Sequence, residues 1–251
     1  MKTQKFGWVP DLPDGRDHAY EAPPEILATL PPAIDLRPEC PPVYDQDDLN
    51  SCTANAIAAA VQFDLMKQKQ ASLMPSRLFL YYNERAMEDK VAVDCGAPLR
   101  NGIKTVASVG DCPESVWPYF ISKFAEKPPN ACYVQARKYR AVQYKRLTHK
   151  AEQLKGCLAS GYPFVFGIKA HESLQGAEVA RTGHESMPAP GDKPIGGHAV
   201  MAVGYDDSKQ WFIVRNSWGD SWGMKGYFTL PYAYVLDENL ALDLWTIRVI
   251  T

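Results

Sequence analysis

The stretch from Asp45 to Asp64, DQDDLNSCTANAIAAAVQFD, restricts this chain more than any other. Polar turn formers (Asp47, Asp48, Asn50, Ser51) give way at Cys52 to an alanine-rich run, and no Gly or Pro intervenes until Pro75. Alanine has the highest helix propensity, so the pattern predicts a buried helix from about Cys52, with Asn50 or Ser51 as N-cap. A cysteine in a first helical turn meets unpaired N–H groups and the positive end of the helix dipole. Both favour the thiolate, the nucleophilic form. Upstream, Gln46 can reach back over the loop, and its side-chain amide with the Cys52 backbone N–H would aim two donors at one oxygen. A lone cysteine at a helix start is also commonly a small buried hydrophobe. The stretch by itself leaves both readings open.

Length and charge narrow the class. The chain has 251 residues, which suits one large domain or two lobes sharing a cleft. A net charge of −2 supplies no field for nucleic acid or an anionic membrane. No apolar run approaches the roughly 20 residues that cross a bilayer. The opening MKTQKFGWVPDLPDG lacks the apolar core of a secretory signal, so a cytoplasmic location is expected unless a signal has been removed. The cysteines (Cys40, Cys52, Cys95, Cys112, Cys132, Cys157) form no CxxC pair, which argues against a zinc ribbon. Without an export signal, reduced thiols are the default, although bridges among Cys40, Cys95, Cys112 and Cys132 stay open after export. Neither metal nor cofactor is called for.

Residues 1–32 are rich in Pro, Gly and Asp, a composition for extended chain, with a turn or two of helix between Glu25 and Leu30. Phe6, Trp8, Val9, Leu12 and Tyr20 make this leader more apolar than a solvated tail, so it is expected to dock. Helices are predicted at SRLFLYYNERAME, at GIKTVASVG (ended by Gly110), and at HKAEQLKGCLASG (capped by Thr148). From KYRAVQYKRL onward the period changes to that of strands. PFVFGIKA, HAVMAVGYDD, WFIVRNSW, KGYFTLP and LALDLWTIRVI follow, with a Gly- and Pro-rich loop from Glu172 to Gly197. Helices first and strands second make an α+β arrangement.

His198 follows a Gly-Gly turn at the expected start of one strand, and Asn216 ends the next. A hairpin would bring the two side chains within hydrogen-bond reach, holding the imidazole towards Cys52. Trp218 could then cover the His–Asn bond and keep water from it. His184 reads as a surface residue, and His18, His149 and His171 carry no constellation.

QDDLNSC, GGHAVMAVGYD and RNSWGDSWGMKGY together resemble the three catalytic segments of papain-like cysteine peptidases, and the order Gln, Cys, His, Asn is similar. The resemblance runs from Ile34-Asp35-Leu36-Arg37, which is similar to the start of the family's mature domain, to about Tyr227. It implies the two-lobe fold of that family: a helical lobe (33–130) carrying the nucleophile, an antiparallel sheet or barrel lobe (131–251) carrying His and Asn, and a cleft between. It further implies Cys52 as nucleophile, His198 as acid/base, Asn216 as its orienter and Gln46 as oxyanion donor. Trp218 would line the leaving-group side, with Trp222 behind it. Gly96, Ala97 and Gly197 would bind extended substrate backbone, and Ala199 would line the pocket for the second residue before the scissile bond. The implied activity is hydrolysis of peptide or protein substrates by a monomer.

Some positions depart from the family pattern. Asp47 and Asn50 stand where small residues are common, Thr53 replaces an aromatic, and Leu49 occupies the place of a structural cysteine. Asn50 is expected to supply any left-handed conformation that loop needs. The leader is much shorter than the family's helical pro-domain and is expected to be a short propeptide or inhibitory strap with Trp8 in or near the cleft. Two alternatives remain at this level: acyl transfer through the same thioester, and a peptide-binding module with a dead cleft.

Overall fold

The alanine-rich run is the helix α2, Cys52–Lys67, in the computed structural model, which describes residues 4–69 and 73–250. Every residue from Cys52 to Leu65 is buried. A helix apolar all round must have packing partners all round. Here α3 (Arg77–Ala86) and α4 (Leu99–Ser108) cover one side and a sheet covers the other. The three helices meet at Gly102, where an added Cβ would lie 2.2 Å from the Glu84 carboxylate and 2.4 Å from Ile57 Cδ1. Ser76 is the N-cap of α3, its hydroxyl accepting the Phe79 N–H at 3.2 Å.

The remaining helices are short. The leader holds α1 (Pro24–Leu27), and α5 (Asn130–Ala136), α6 (Ala151–Ala159), α7 (Ala177–Thr182) and α8 (Tyr232–Leu236) follow. The strands are β1 (Ala33–Asp35), β2 (Ala141–Arg146), β3 (Phe164–His171), β4 (Pro194–Asp206), β5 (Trp211–Arg215), β6 (Tyr227–Pro231) and β7 (Ala241–Ile250). They form one antiparallel sheet in the order β2-β7-β3-β4-β5-β6, with β1 paired to β4. The sheet is open, not a closed barrel. The predicted helical-then-strand layout therefore holds, although β1 joins the sheet.

Several local expectations are corrected. The N-cap of α6 is Lys150, not Thr148. Helix α4 begins at Leu99, ahead of the expected Gly102, while Gly110 does close it: it follows the C-cap Val109 at φ 90° and its N–H donates back to Thr105 O. The loop expected from Glu172 to Gly197 contains a 3-10 turn and α7, and β4 begins at Pro194, so His198 lies inside the strand. Among the described residues no helix is long and apolar enough to cross a membrane.

The leader does dock. Its carbonyl at His18 accepts the Arg146 N–H at 2.8 Å and Tyr20 N–H donates to Arg146 O at 2.7 Å, extending the edge at β2. Upstream of that, residues 5–9 run between α2 and β4, over the N-terminal end of α2.

Candidate active site

Strand pairing builds the first half of the site. Register Met201↔Arg215 between β4 and β5 leaves Asn216 just past the end of β5, across from Val200 and diagonal to His198, two residues along β4. The Asn216 Oδ1 accepts from His198 Nε2 at 2.8 Å and from the Ser217 N–H at 2.8 Å, which fixes the amide. Trp218 stacks on the imidazole at 4.7 Å between centroids, 24° from parallel, and Trp222 meets Trp218 edge-on at 4.9 Å. The ring is wholly buried, and its other nitrogen, Nδ1, has no hydrogen-bond partner among the described residues.

The second half comes from the α2 N-terminus. Ser51 is the N-cap by position but makes no side-chain cap; its hydroxyl meets the Tyr119 hydroxyl at 2.6 Å and accepts from Asn55 Nδ2 at 3.0 Å. Cys52 Sγ lies beneath the backbone N–H of Ala199, the residue after His198. Gln46 is buried beside it. Its Oε1 accepts the Ser217 hydroxyl at 2.6 Å, and its Nε2 donates to Leu49 O at 2.9 Å and Lys5 O at 3.3 Å. The left-handed residue of this loop is Asp47, at φ 54°, and not Asn50. Asn50 is instead tied to Asp94, donating from its side chain to the Asp94 carbonyl at 2.8 Å.

The leader occupies the ground between these halves. Gly7 N–H donates to Cys52 Sγ at 3.3 Å, and Phe6 sits edge-on to His198 and Trp218. Ala97 N–H donates to Gly7 O at 2.8 Å, Val9 N–H to Ala97 O at 3.2 Å, and Trp8 N–H to Gly197 O at 2.9 Å. A Cβ on Gly96 would lie 1.9 Å from Gly7 O, and one on Gly197 would lie 2.2 Å from Trp8 O. Only glycine lets a second chain pass that close. The Trp8 indole fills a space over Gly167, where a Cβ would meet the ring at 1.9 Å, and its Nε1 donates to Asp243 Oδ2 at 3.2 Å. Ala199 is buried, and its backbone N–H acts on the Cys52 sulfur.

Covering changes the electrostatics. Burial pushes the Cys52 thiol up to about 11, against the pull of the Ala199 and Gly7 N–H groups. Burial also lowers His198 to about 4, against its bond to Asn216. The expectation of a thiolate at the helix start is therefore reversed in this covered state, because removing water disfavours both charged forms. Ser217, Gly7 and Asp243 went unnoticed in the sequence. Ser217 sits within the N-S-W motif, whereas Asp243 carries no local signal at all.

These features mark a thiol hydrolase cleft, and the chain belongs to the papain family. The family model described as "Papain family cysteine protease" matches residues 30–235. The chain is thus a cysteine-type peptidase. A peptidase C1-like protein of Acanthamoeba polyphaga mimivirus, itself uncharacterised, is 41% identical, covering 99% of this chain and 88% of its own. Chymopapain of Carica papaya is 29% identical over 86% of this chain and 58% of its own. Among solved structures, xylellain, a cysteine protease from Xylella fastidiosa, superposes with a TM-score of 0.94 at 41% identity, covering 100% and 99% of the two chains. Procathepsin B S9 from Trypanosoma congolense shares the fold at a TM-score of 0.78 and 19% identity, covering 98% and 87%.

Proposed function

We propose that Cys52 is the nucleophile of this peptidase, with His198 as acid/base, Asn216 as its orienter and Gln46 as oxyanion donor. With the leader out of the cleft, water returns and the pair can adopt the thiolate–imidazolium form. The thiolate adds to a peptide carbonyl, and Gln46 with backbone N–H holds the oxyanion. His198 protonates the departing amine, and water attacks the thioester through His198 as base. Cys52 is thereby restored. Peptide or protein chains are the substrates, handled by a monomer. Gly96, Ala97 and Gly197 would grip their backbone as they grip the leader's. The acyl-transfer and peptide-binding alternatives gain nothing from the relatives.

The same proposal makes residues 1–32 an inhibitory strap. One observation carries it: residues 5–9 are bonded at once to the nucleophilic sulfur, the oxyanion donor and the backbone grips. The test is hydrolysis of a peptide library by the wild type and Cys52→Ala, with and without the cleft-crossing contacts broken by Trp8→Ala. Hydrolysis that needs Cys52 and rises in Trp8→Ala supports both parts. Equal activity of wild type and Cys52→Ala removes the nucleophile assignment; unchanged activity in Trp8→Ala removes the strap.

A further inference from the structure

Past Trp8, the leader carries acidic residues into a cluster of charges that the peptidase reaction does not use. The Asp11 side chain is fully enclosed. Its Oδ1 accepts the Arg100 backbone N–H in the first turn of α4 at 3.0 Å, and its Oδ2 accepts the Trp245 indole N–H at 3.0 Å. Arg146, from β2, stands 3.6 Å from the same carboxylate. The Asp11 N–H donates to Asp243 Oδ2 at 2.8 Å, beside the Trp8 indole on that oxygen. Asp243 Oδ1 is paired with Arg146 at 2.7 Å. Asp17 completes the cluster, 2.5 Å from Arg100 and 3.1 Å from Arg146. Beyond it, Asp14 is turned to Arg16 at 2.8 Å and to Lys104 at 3.8 Å.

Around Asp11 there are three carboxylates (Asp11, Asp17, Asp243) for two guanidiniums (Arg100, Arg146). Asp17 has both guanidiniums within ion-pair distance and Asp243 has Arg146 close. Asp11 has Arg146 at 3.6 Å and the charge of Arg100 nearby, both of them already paired more closely with Asp17 or Asp243, and it is the most enclosed of the three. A buried cluster one negative charge in excess is relieved by one proton. Without the leader the excess disappears, since Asp11 and Asp17 leave together and Asp11 enters water.

We propose that docking of the strap takes up one proton, on the Asp11 carboxylate, so that the strap grips hardest in mild acid and loosens as the pH rises to neutral. This rests on the strap reading above. Burial, then the Asp243 charge, raise the docked Asp11 carboxyl from 3.8 to about 6. A group whose docked value is the higher one favours docking below its free value and loses that contribution as pH climbs through the docked value. Between pH 5 and pH 7.5 one such proton changes the docking equilibrium by about tenfold.

Hydrogen exchange of the full chain, followed by mass spectrometry and corrected for the intrinsic pH dependence of exchange, reads this directly. The amides of Gly7, Trp8, Val9 and Asp11 are the reporters, because each donates within the docked strap. Their protection should fall about tenfold from pH 5 to pH 7.5. Asp11→Asn and Asp243→Asn each remove the excess charge and should leave protection flat with pH. Wild-type protection that is flat or rises with pH, or a slope kept in both variants, overturns the latch. Amides unprotected at both pH values, with Cys52 alkylated by iodoacetamide as fast as a free thiol, overturn the strap reading itself. Protected but pH-insensitive amides remove only the proton latch.

Discussion

Gln46 is aimed by its neighbour. The Ser217 hydroxyl holds the Oε1 of the buried amide, which leaves the Nε2 facing the place where the Lys5 carbonyl now sits. Removing one oxyanion donor typically costs roughly 3 kcal/mol of transition-state stabilisation. Gln46→Ala should therefore lower kcat about a hundredfold or more on a peptide substrate, with little change in KM. Asn216 holds the His198 ring, so on the proposed assignment Asn216→Ala should slow the same reaction roughly ten- to hundredfold, the cost of leaving a buried ring N–H unpaired. That variant should also distort the pH–rate profile, which a simple packing defect would not do. Stopped-time assays across pH check both.

Among the elements, α2 tolerates no growth. Ala58 is wholly buried between the sheet and the neighbouring helices, so Ala58→Leu should destabilise the fold by about 1–3 kcal/mol in denaturant unfolding. The leader is equally tight: a Cβ on Gly7 would fall 1.7 Å from the Asn50 carbonyl oxygen. Gly7→Ala should lift the strap and speed Cys52 alkylation at least tenfold, read by intact mass. These elements differ in how far their sequence announces them. An alanine run without Gly or Pro is a local signal, so the start of α2 is legible though its end at Lys67 is not, and the hairpin reading brings His198 and Asn216 within hydrogen-bond reach. The Thr148 cap failed because short-range cap chemistry yields to tertiary packing. The course of the leader depends on Gly96, Gly167, Arg146 and Asp243, drawn from remote parts of the chain. No window of sequence contains such a contact set. Burial by that leader also reversed the Cys52 expectation, since a helix terminus favours a thiolate only where solvent helps.

At the scale of the whole molecule, buried acids set the response to pH. Glu84 lies at the centre of the helical lobe, one oxygen accepting the Thr53 hydroxyl at 2.8 Å and the other without a partner among the described residues. Burial raises it to about 8, despite that bond and the Arg85 charge. Its folded value exceeds its ordinary 4.5, so its contribution is complete below pH 4.5 and is lost as pH climbs through 8. His198 works the other way, its contribution being lost as pH falls from 6.5 towards 4. Thermal unfolding should thus show greatest stability in between, and Glu84→Gln should flatten the alkaline limb, an effect on the order of a few kcal/mol at pH 9.

The bond from Gly7 N–H to the sulfur has one more result. The leader turns the N–H edge of the Phe6–Gly7 amide to the sulfur, so the contact is a hydrogen bond to the thiol and not the approach of a carbonyl carbon. A stored full-length sample should keep its mass for days, and any shortening should accelerate with protein concentration, as one molecule trims another.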